Sequence, residues 1–422
     1  MGRWPVPEPY SHGPGRILQA ATRARAGGRG QRDGRGRQVR WHGVSIADVL
    51  DGKRICVCAG PGGVGKTTVS AAIALGMAAR GARVAVVTID PARRLADALG
   101  LDALGNRPQR VDPGALGAEG LDIEGELWAM MLDPKRTFDE LIERLAPDAR
   151  TRDEVLANRV YRELSTAVAG TQEFTAIAKL FELHEEGGFD LVVLDTPPSR
   201  NALDFLDAPD RLSRFFEGRA LQALLGPAGF GMKLVGRGTG LVFGVLGKAT
   251  GVDVLRDVSV FFRALGGMVD GFRDRARRVA GLLEDPGTTF VLVASPEPEA
   301  VDEAIFFARK LRDAGMELGA AVVNRALPAG VGAADPDRAE RALAGRVEPG
   351  LAARAAHALA DLHALALRDR ESVERLAAEV GAQRLIRVPQ LEGDVHDAGG
   401  LAQVLEHLLA GGEHPAGART AA

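Results

Sequence analysis

Lys66 and Thr67 follow a run of glycines in the segment CVCAGPGGVGKTTVSAA, and together these residues are equipped to handle phosphate. Gly60, Gly62, Gly63, Val64 and Gly65, then Lys66, Thr67 and Thr68, satisfy the pattern G-x-x-x-x-G-K-[ST]. The glycines let successive backbone N–H groups turn inward around phosphate oxygens, and a helix beginning there points its positive end at them. In that geometry Lys66 reaches the β- and γ-phosphates of a nucleoside triphosphate such as ATP, and the Thr67 hydroxyl ligates Mg2+. The flanks agree with this reading: an apolar, strand-like run precedes the loop, and the helix-forming VSAAIALGMAARG follows it.

Two carboxylates stand at the ends of other apolar runs. DLVVLDTPPS ends a strand pattern at Asp195, from which a carboxylate can hold a water of the Mg2+ shell. VVTIDPARRLAD carries Asp90 at the end of the preceding run, at the sheet edge where α/β proteins bind ligands, although an Asp there can also cap a helix. Asn324, after the run AAVV, can offer its carboxamide to a purine edge or cap a helix.

Six apolar runs alternate with helical patterns: Ile55 to Ala59, Val84 to Ile89, Leu191 to Leu194, Phe290 to Ala294, Ala320 to Val323 and Leu385 to Val388. That alternation predicts an α/β fold, a mostly parallel, doubly wound sheet of about six strands with helices on both faces. Two blocks between the runs, about 134–184 and 203–283, are too long to be simple crossovers and predict an inserted helical subdomain, with a further helical hairpin at about 335–380. The expected organisation is an Arg/Gly-rich disordered tail over 1–45, one domain over 46–410 and a flexible tail over 411–422.

Composition narrows the function classes. The chain has 422 residues, 46% hydrophobic and 26% charged, with a net charge of -3, which exerts no overall pull on nucleic acid. The basic opening stretch reads as a solvated tail, or as translation from an over-early start, rather than as an arm for nucleic acid or organelle targeting. No apolar run reaches the roughly 18 residues of a membrane span, and no secretory signal core is present, so the cytoplasm is the expected compartment. Cys56 and Cys58, the two cysteines, sit two apart in an apolar run and read as buried on one face of a strand. Eight scattered histidines offer no transition-metal motif.

Taken together, GPGGVGKTT, TIDPARRLADALG, DLVVLDTPPSRNALDFL and VVNR resemble the ArsA family of anion-transporting ATPases, which includes the Get-type ATPases that deliver tail-anchored membrane proteins. The resemblance runs from about residue 53 to about residue 400. It implies a deviant-Walker P-loop ATPase that dimerises with nucleotide at the interface. It also implies that Asp90 positions the attacking water, that 195–199 form a switch segment, that Asn324 reads adenine, and that Pro389, in IRVPQLEGDV, belongs to a second adenine-side loop.

The departures from the family pattern carry as much information. Relatives place a lysine where this chain has Pro61, and that lysine reaches the partner's phosphates; proline supplies neither an ammonium nor a backbone donor. Arg93, Arg94 or Arg200 is expected to replace it, with a lysine-bearing paralogue in a heterodimer, or very slow hydrolysis in a nucleotide-gated scaffold, as the alternatives. With only two cysteines, both in the first strand, arsenite pumping is not expected. The glycine-dense, acid-free segment from Gly226 to Gly251 reads as a contact for an apolar client helix or membrane surface, as a flexible connection, or as a packed helix whose small residues allow close approach. A DNA- or membrane-positioning ATPase would want a basic stripe or a C-terminal amphipathic anchor, and the tail GGEHPAGARTAA offers none.

Overall fold

Five consecutive buried residues, Ile55–Ala59, form strand β1 at the middle of the sheet. A strand buried on both faces must be covered by helices above and below, and the computed structural model shows that arrangement. It describes residues 44–90, 93–117, 122–159, 161–162, 171–196, 261, 268–327, 335–344 and 347–410. The remaining strands are β2 (Arg83–Thr88), β3 (Gln109–Arg110), β4 (Glu126–Met131), β5 (Leu191–Asp195), β6 (Thr288–Ala294), β7 (Leu318–Ala326) and β8 (Leu385–Pro389), in the order β3-β4-β2-β5-β1-β6-β7-β8. All neighbours are parallel except the β3–β4 pair.

The described helices are α1 (Ile46–Val49), α2 (Lys66–Ala79), α3 (Arg94–Ala98), α4 (Pro113–Gly117), α5 (Pro134–Leu145), α6 (Ala149–Ala157), α7 (Thr171–Glu186), α8 (Val269–Glu284), α9 (Pro298–Asp313), α10 (Pro336–Leu343), α11 (Pro349–Val380) and α12 (Ala398–Leu409). Several start where the chain supplies an acceptor. Asp133, Asp148, Asp335 and Asp397 each precede a helix and accept a backbone N–H from its first turn.

Alternate side chains of the strands feed two cores. On one face Val57, Val87, Leu194, Leu292 and Val323 meet α7, α8, α9 and the C-terminal half of α11. On the other, Cys56, Cys58, Val86, Val193 and Val322 meet α2 and α12. Cys56 and Cys58 therefore share one buried face, as their spacing predicts, with sulfurs 4.0 Å apart.

The expected count of about six strands is corrected to eight among the described residues. β3 is two exposed residues, too short to show a period, and β4 reads ELWAMM, in which Leu, Met, Ala and Glu favour helix locally. Pairing with β2 along its whole length decides β4 as a strand. The expected N-terminal tail up to residue 43, the expected C-terminal tail, the glycine-dense segment, the switch residues beyond Thr196, Arg200 and most of the 203–283 block lie outside the described residues.

The chain passes from β1 to β2 on one side and from β5 to β6 across β1 on the other, so connections diverge at the carboxyl edge of β1. Open α/β sheets bind ligands in the crevice such a divergence leaves. The register puts Cys58 and Thr88 on either side of Asp195 at that edge.

Candidate functional site

The 60–65 loop leaves β1 and ends at Gly65, whose left-handed backbone (φ 90°) starts α2 with no side-chain cap. The first N–H groups of α2 thus lack a capping side chain, which is the arrangement that suits an anion. Glycine is required at both ends of the turn. A Cβ at Gly60 (φ 151°) would collide with the Val293 carbonyl of β6, and one at Gly65 with the Asn324 amide. Gly62 and Gly63 are exposed at the outer rim, while Pro61 and Val64 are buried.

Lys66 is only 6% exposed, and its ammonium donates to the Pro61 carbonyl over 2.7 Å. The amine curls back under the loop that would wrap a phosphate. Burial lowers its pKa, and the charges of Asp195 and Asp90 pull it partly back up.

Asp195 is 1% exposed and sits behind the first turn of α2. Its Oδ2 accepts from the Thr67 hydroxyl at 2.7 Å and from the Thr88 hydroxyl at 2.8 Å. Its Oδ1 is buried and has no hydrogen-bond partner among the described residues. Burial raises its pKa to about 6, against the downward pull of the two hydroxyls and Lys66. These groups fit a hydrated Mg2+: the Thr67 proton is committed to Asp195, which leaves the hydroxyl lone pairs for the cation, and Oδ1 is an acceptor suited to a water of its shell. Thr196, next along, donates its hydroxyl to the Cys58 carbonyl at 2.9 Å and ties the end of β5 to the end of β1.

Asp90 lies two residues past β2, partly buried, with its backbone N–H on the Thr88 hydroxyl at 3.2 Å. It does not cap α3, which is preceded by Arg93. Arg93 and Arg94 are exposed where that helix begins.

On the other flank, Asn324 stands inside β7, so it caps no helix. Its Nδ2 donates to the Val64 carbonyl at 2.9 Å, and Oδ1 makes no hydrogen bond among the described residues. Arg325 follows with its guanidinium on the Gly63 carbonyl at 3.3 Å. Pro389, the last residue of β8, pairs with Ala326 and so lies one step from the same corner.

The structure gathers Gly60, Gly62, Gly63, Val64, Gly65, Lys66, Thr67, Thr68, Asp90 and Asp195 at the carboxyl edge of β1, β2 and β5, with Asn324 and Pro389 on the β7–β8 side. Two participants escape sequence reasoning. Thr88 carries a signal, a polar residue closing an otherwise apolar strand two positions before Asp90. Arg325 carries none beyond adjacency to Asn324.

The family profile described as anion-transporting ATPase matches residues 53–341. The chain is 27% identical over 288 residues to "ATPase GET3" of Malassezia globosa, covering 67% of this chain and 76% of that protein. It is 30% identical over 258 residues to "ATPase ARSA2" of Chlamydomonas reinhardtii, covering 60% of this chain and 63% of that one. It is 25% identical over 283 residues to "Putative arsenical pump-driving ATPase 1" of Aquifex aeolicus, covering 65% of this chain and 64% of that one. The matched part thus spans somewhat under two thirds of the last two relatives.

Proposed function

The chain belongs to the anion-transporting ATPase family, and from that premise we propose that it binds Mg2+-ATP at the 60–68 loop and hydrolyses it to ADP and phosphate. The observation that carries the reading is the buried Asp195 carboxylate, with one oxygen held by Thr67 and Thr88 and the other unpartnered among the described residues, directly behind Lys66 in a glycine cradle. When bound, Mg2+ would supply charge that neutralises the polyphosphate; Thr67 would hold it directly and Asp195 through water. Lys66 exchanges the Pro61 carbonyl for phosphate oxygens, and Asp90 orients the attacking water. Asn324 and Pro389 form the adenine side. One N–H of Asn324 stays on the loop while its Oδ1 meets the base.

In this proposal two copies of the chain, or one copy and a lysine-bearing paralogue, close over the exposed rim at Gly62 and Gly63. Closing and opening with the nucleotide are coupled to an apolar client helix or a membrane surface. The activity does not extend to arsenite. Cys56 and Cys58 are the only thiols of the sequence, both are buried in β1, and among the described residues no group of His, Cys, Asp or Glu is gathered that could hold a metal. The cytoplasm is the proposed compartment; among the described residues no helix is long and apolar enough to cross a membrane.

Pro61 favours a second reading, a nucleotide-gated scaffold or regulatory subunit with very slow hydrolysis. It is buried and offers the loop a carbonyl instead of a cation. Calorimetric titration with Mg2+-ATP, followed by phosphate release from the same sample, tests both. Binding with turnover supports the ATPase, binding without turnover supports the switch, and no binding removes both.

A further inference from the structure

Successive residues of a strand point to opposite faces, yet Asn324 and Arg325 both touch the phosphate loop, at neighbouring carbonyls. The pairing of β7 with β8 explains how. Val323 pairs with Arg387 and Ala326 with Pro389, so three steps along β7 match two along β8, and β7 carries one extra residue. Arg325 absorbs it in the left-handed region, at φ 60°, as the one non-glycine residue with positive φ among those described. A long side chain pays for that conformation where asparagine or glycine would adopt it readily. Such strain persists where the surroundings impose it, and it concentrates at functional sites.

The bulge delivers a guanidinium to the rim of the loop, where it is under-used. Arg325 is exposed, its guanidinium makes a 3.3 Å bond to a neutral carbonyl, and no ion pair with a carboxylate is formed by it among the described residues. Guanidinium groups bind phosphate by shorter, charge-assisted and often bidentate bonds. Mg2+ and the Lys66 ammonium together still leave a nucleoside triphosphate net negative. A second cation at the loop would complete the neutralisation.

We propose that Arg325 is a phosphate-contacting residue, whose guanidinium transfers from the Gly63 carbonyl to the polyphosphate of a bound nucleoside triphosphate while Asn324 keeps hold of Val64. The assignment rests on the ATP-binding reading above. The two residues of the bulge then play different parts, since the buried Asn324 fixes the loop and the exposed Arg325 answers its ligand.

The test uses the full chain and two probes, Mg2+-ATP and Mg2+-tripolyphosphate, titrated at low and moderate salt into wild type, Arg325→Asn and Arg325→Lys. Asparagine tolerates the left-handed backbone, so the bulge is retained while the charge is lost. Arg325→Asn should bind both probes at least tenfold more weakly, with a shallower salt dependence and a melting temperature no lower than wild type; Arg325→Lys should recover several-fold of the loss. Binding of both probes within twofold of wild type would overturn the assignment. So would a loss confined to ATP, or a loss that comes with a lowered melting temperature and no recovery by lysine. Failure of the wild type itself to bind Mg2+-ATP would instead overturn the ATP-binding reading on which the assignment stands.

Discussion

The Thr67 hydroxyl donates to Asp195 Oδ2 over 2.7 Å, which joins the first turn of α2 to the end of β5. Because Asp195 is almost wholly buried, this bond sits on a carboxyl whose pKa is about 6 in the fold against an ordinary value of 3.8. Between those two values the folded chain holds a proton at Asp195 that the unfolded chain has released. Stability without nucleotide therefore falls as pH rises from about 4 to about 6 and levels off above, by at most about 3 kcal/mol at ~1.4 kcal/mol per pKa unit. Asp195→Asn keeps an acceptor for Thr67 and Thr88 but cannot ionise. It should melt a few degrees above wild type at pH 7.5, with the gap closing toward pH 5, in thermal scans without nucleotide. On the proposed reading Mg2+ is held through the ionised carboxylate, so wild-type affinity for Mg2+-ATP should weaken as pH drops through about 6, and Asp195→Asn should bind Mg2+-ATP weakly at every pH.

Gly60 and the Val293 carbonyl of β6 are in closer contact than any Cβ allows. Gly60→Ala should push the end of β1 away from β6 and cost several kcal/mol, since backbone on both sides leaves nothing to yield. Gly63→Ala meets no atom within 4 Å and should cost about 1–2 kcal/mol from its positive φ alone. Urea denaturation of the two variants checks the order; equal losses would mean that the loop's footing on β6 is not where the strain lies.

Asn324→Ala removes the Nδ2 bond to Val64 and any contact of Oδ1 with a base. Binding of tripolyphosphate should weaken because the loop loses an anchor, and binding of ATP should weaken further because the base loses its partner. Equal losses for the two ligands would confine Asn324 to holding the loop.

Pro61 is buried and Arg93 and Arg94 are exposed just beyond Asp90. If one of these arginines supplies the cation that Pro61 cannot, Pro61→Lys should change turnover little. Arg93→Ala or Arg94→Ala should then lower it tenfold or more, about 1.4 kcal/mol of transition-state stabilisation. A large rise in rate on Pro61→Lys would instead assign the missing cation to a partner chain. Turnover separates these residues from Arg325, whose effect is read in affinity.

The phosphate loop was legible because its chemistry is local, with glycines for a tight turn followed directly by a lysine and a hydroxyl at the start of a helix. Asp195 was legible as the end of a buried run. The bond network around it was not, since Thr88 meets Asp195 only through the pairing of β2 with β5. The same limit hid β4, whose residues favour a helix until β2 supplies its hydrogen bonds, and the bulge at Arg325, which exists only in the register between β7 and β8. Local pattern specifies what a segment can do; the partner strand decides which of those things it does.

Binding of Mg2+-ATP at Lys66 and Asp195, with hydrolysis by water held at Asp90, is tested most directly by measuring Mg2+-ATP binding and phosphate release side by side for the wild type and Asp90→Asn. The wild type should bind and turn over, while Asp90→Asn should bind within a few-fold of wild type and lose about a hundredfold or more of its rate, the scale of a lost general base. Turnover by Asp90→Asn at the wild-type rate would contradict this assignment of the site.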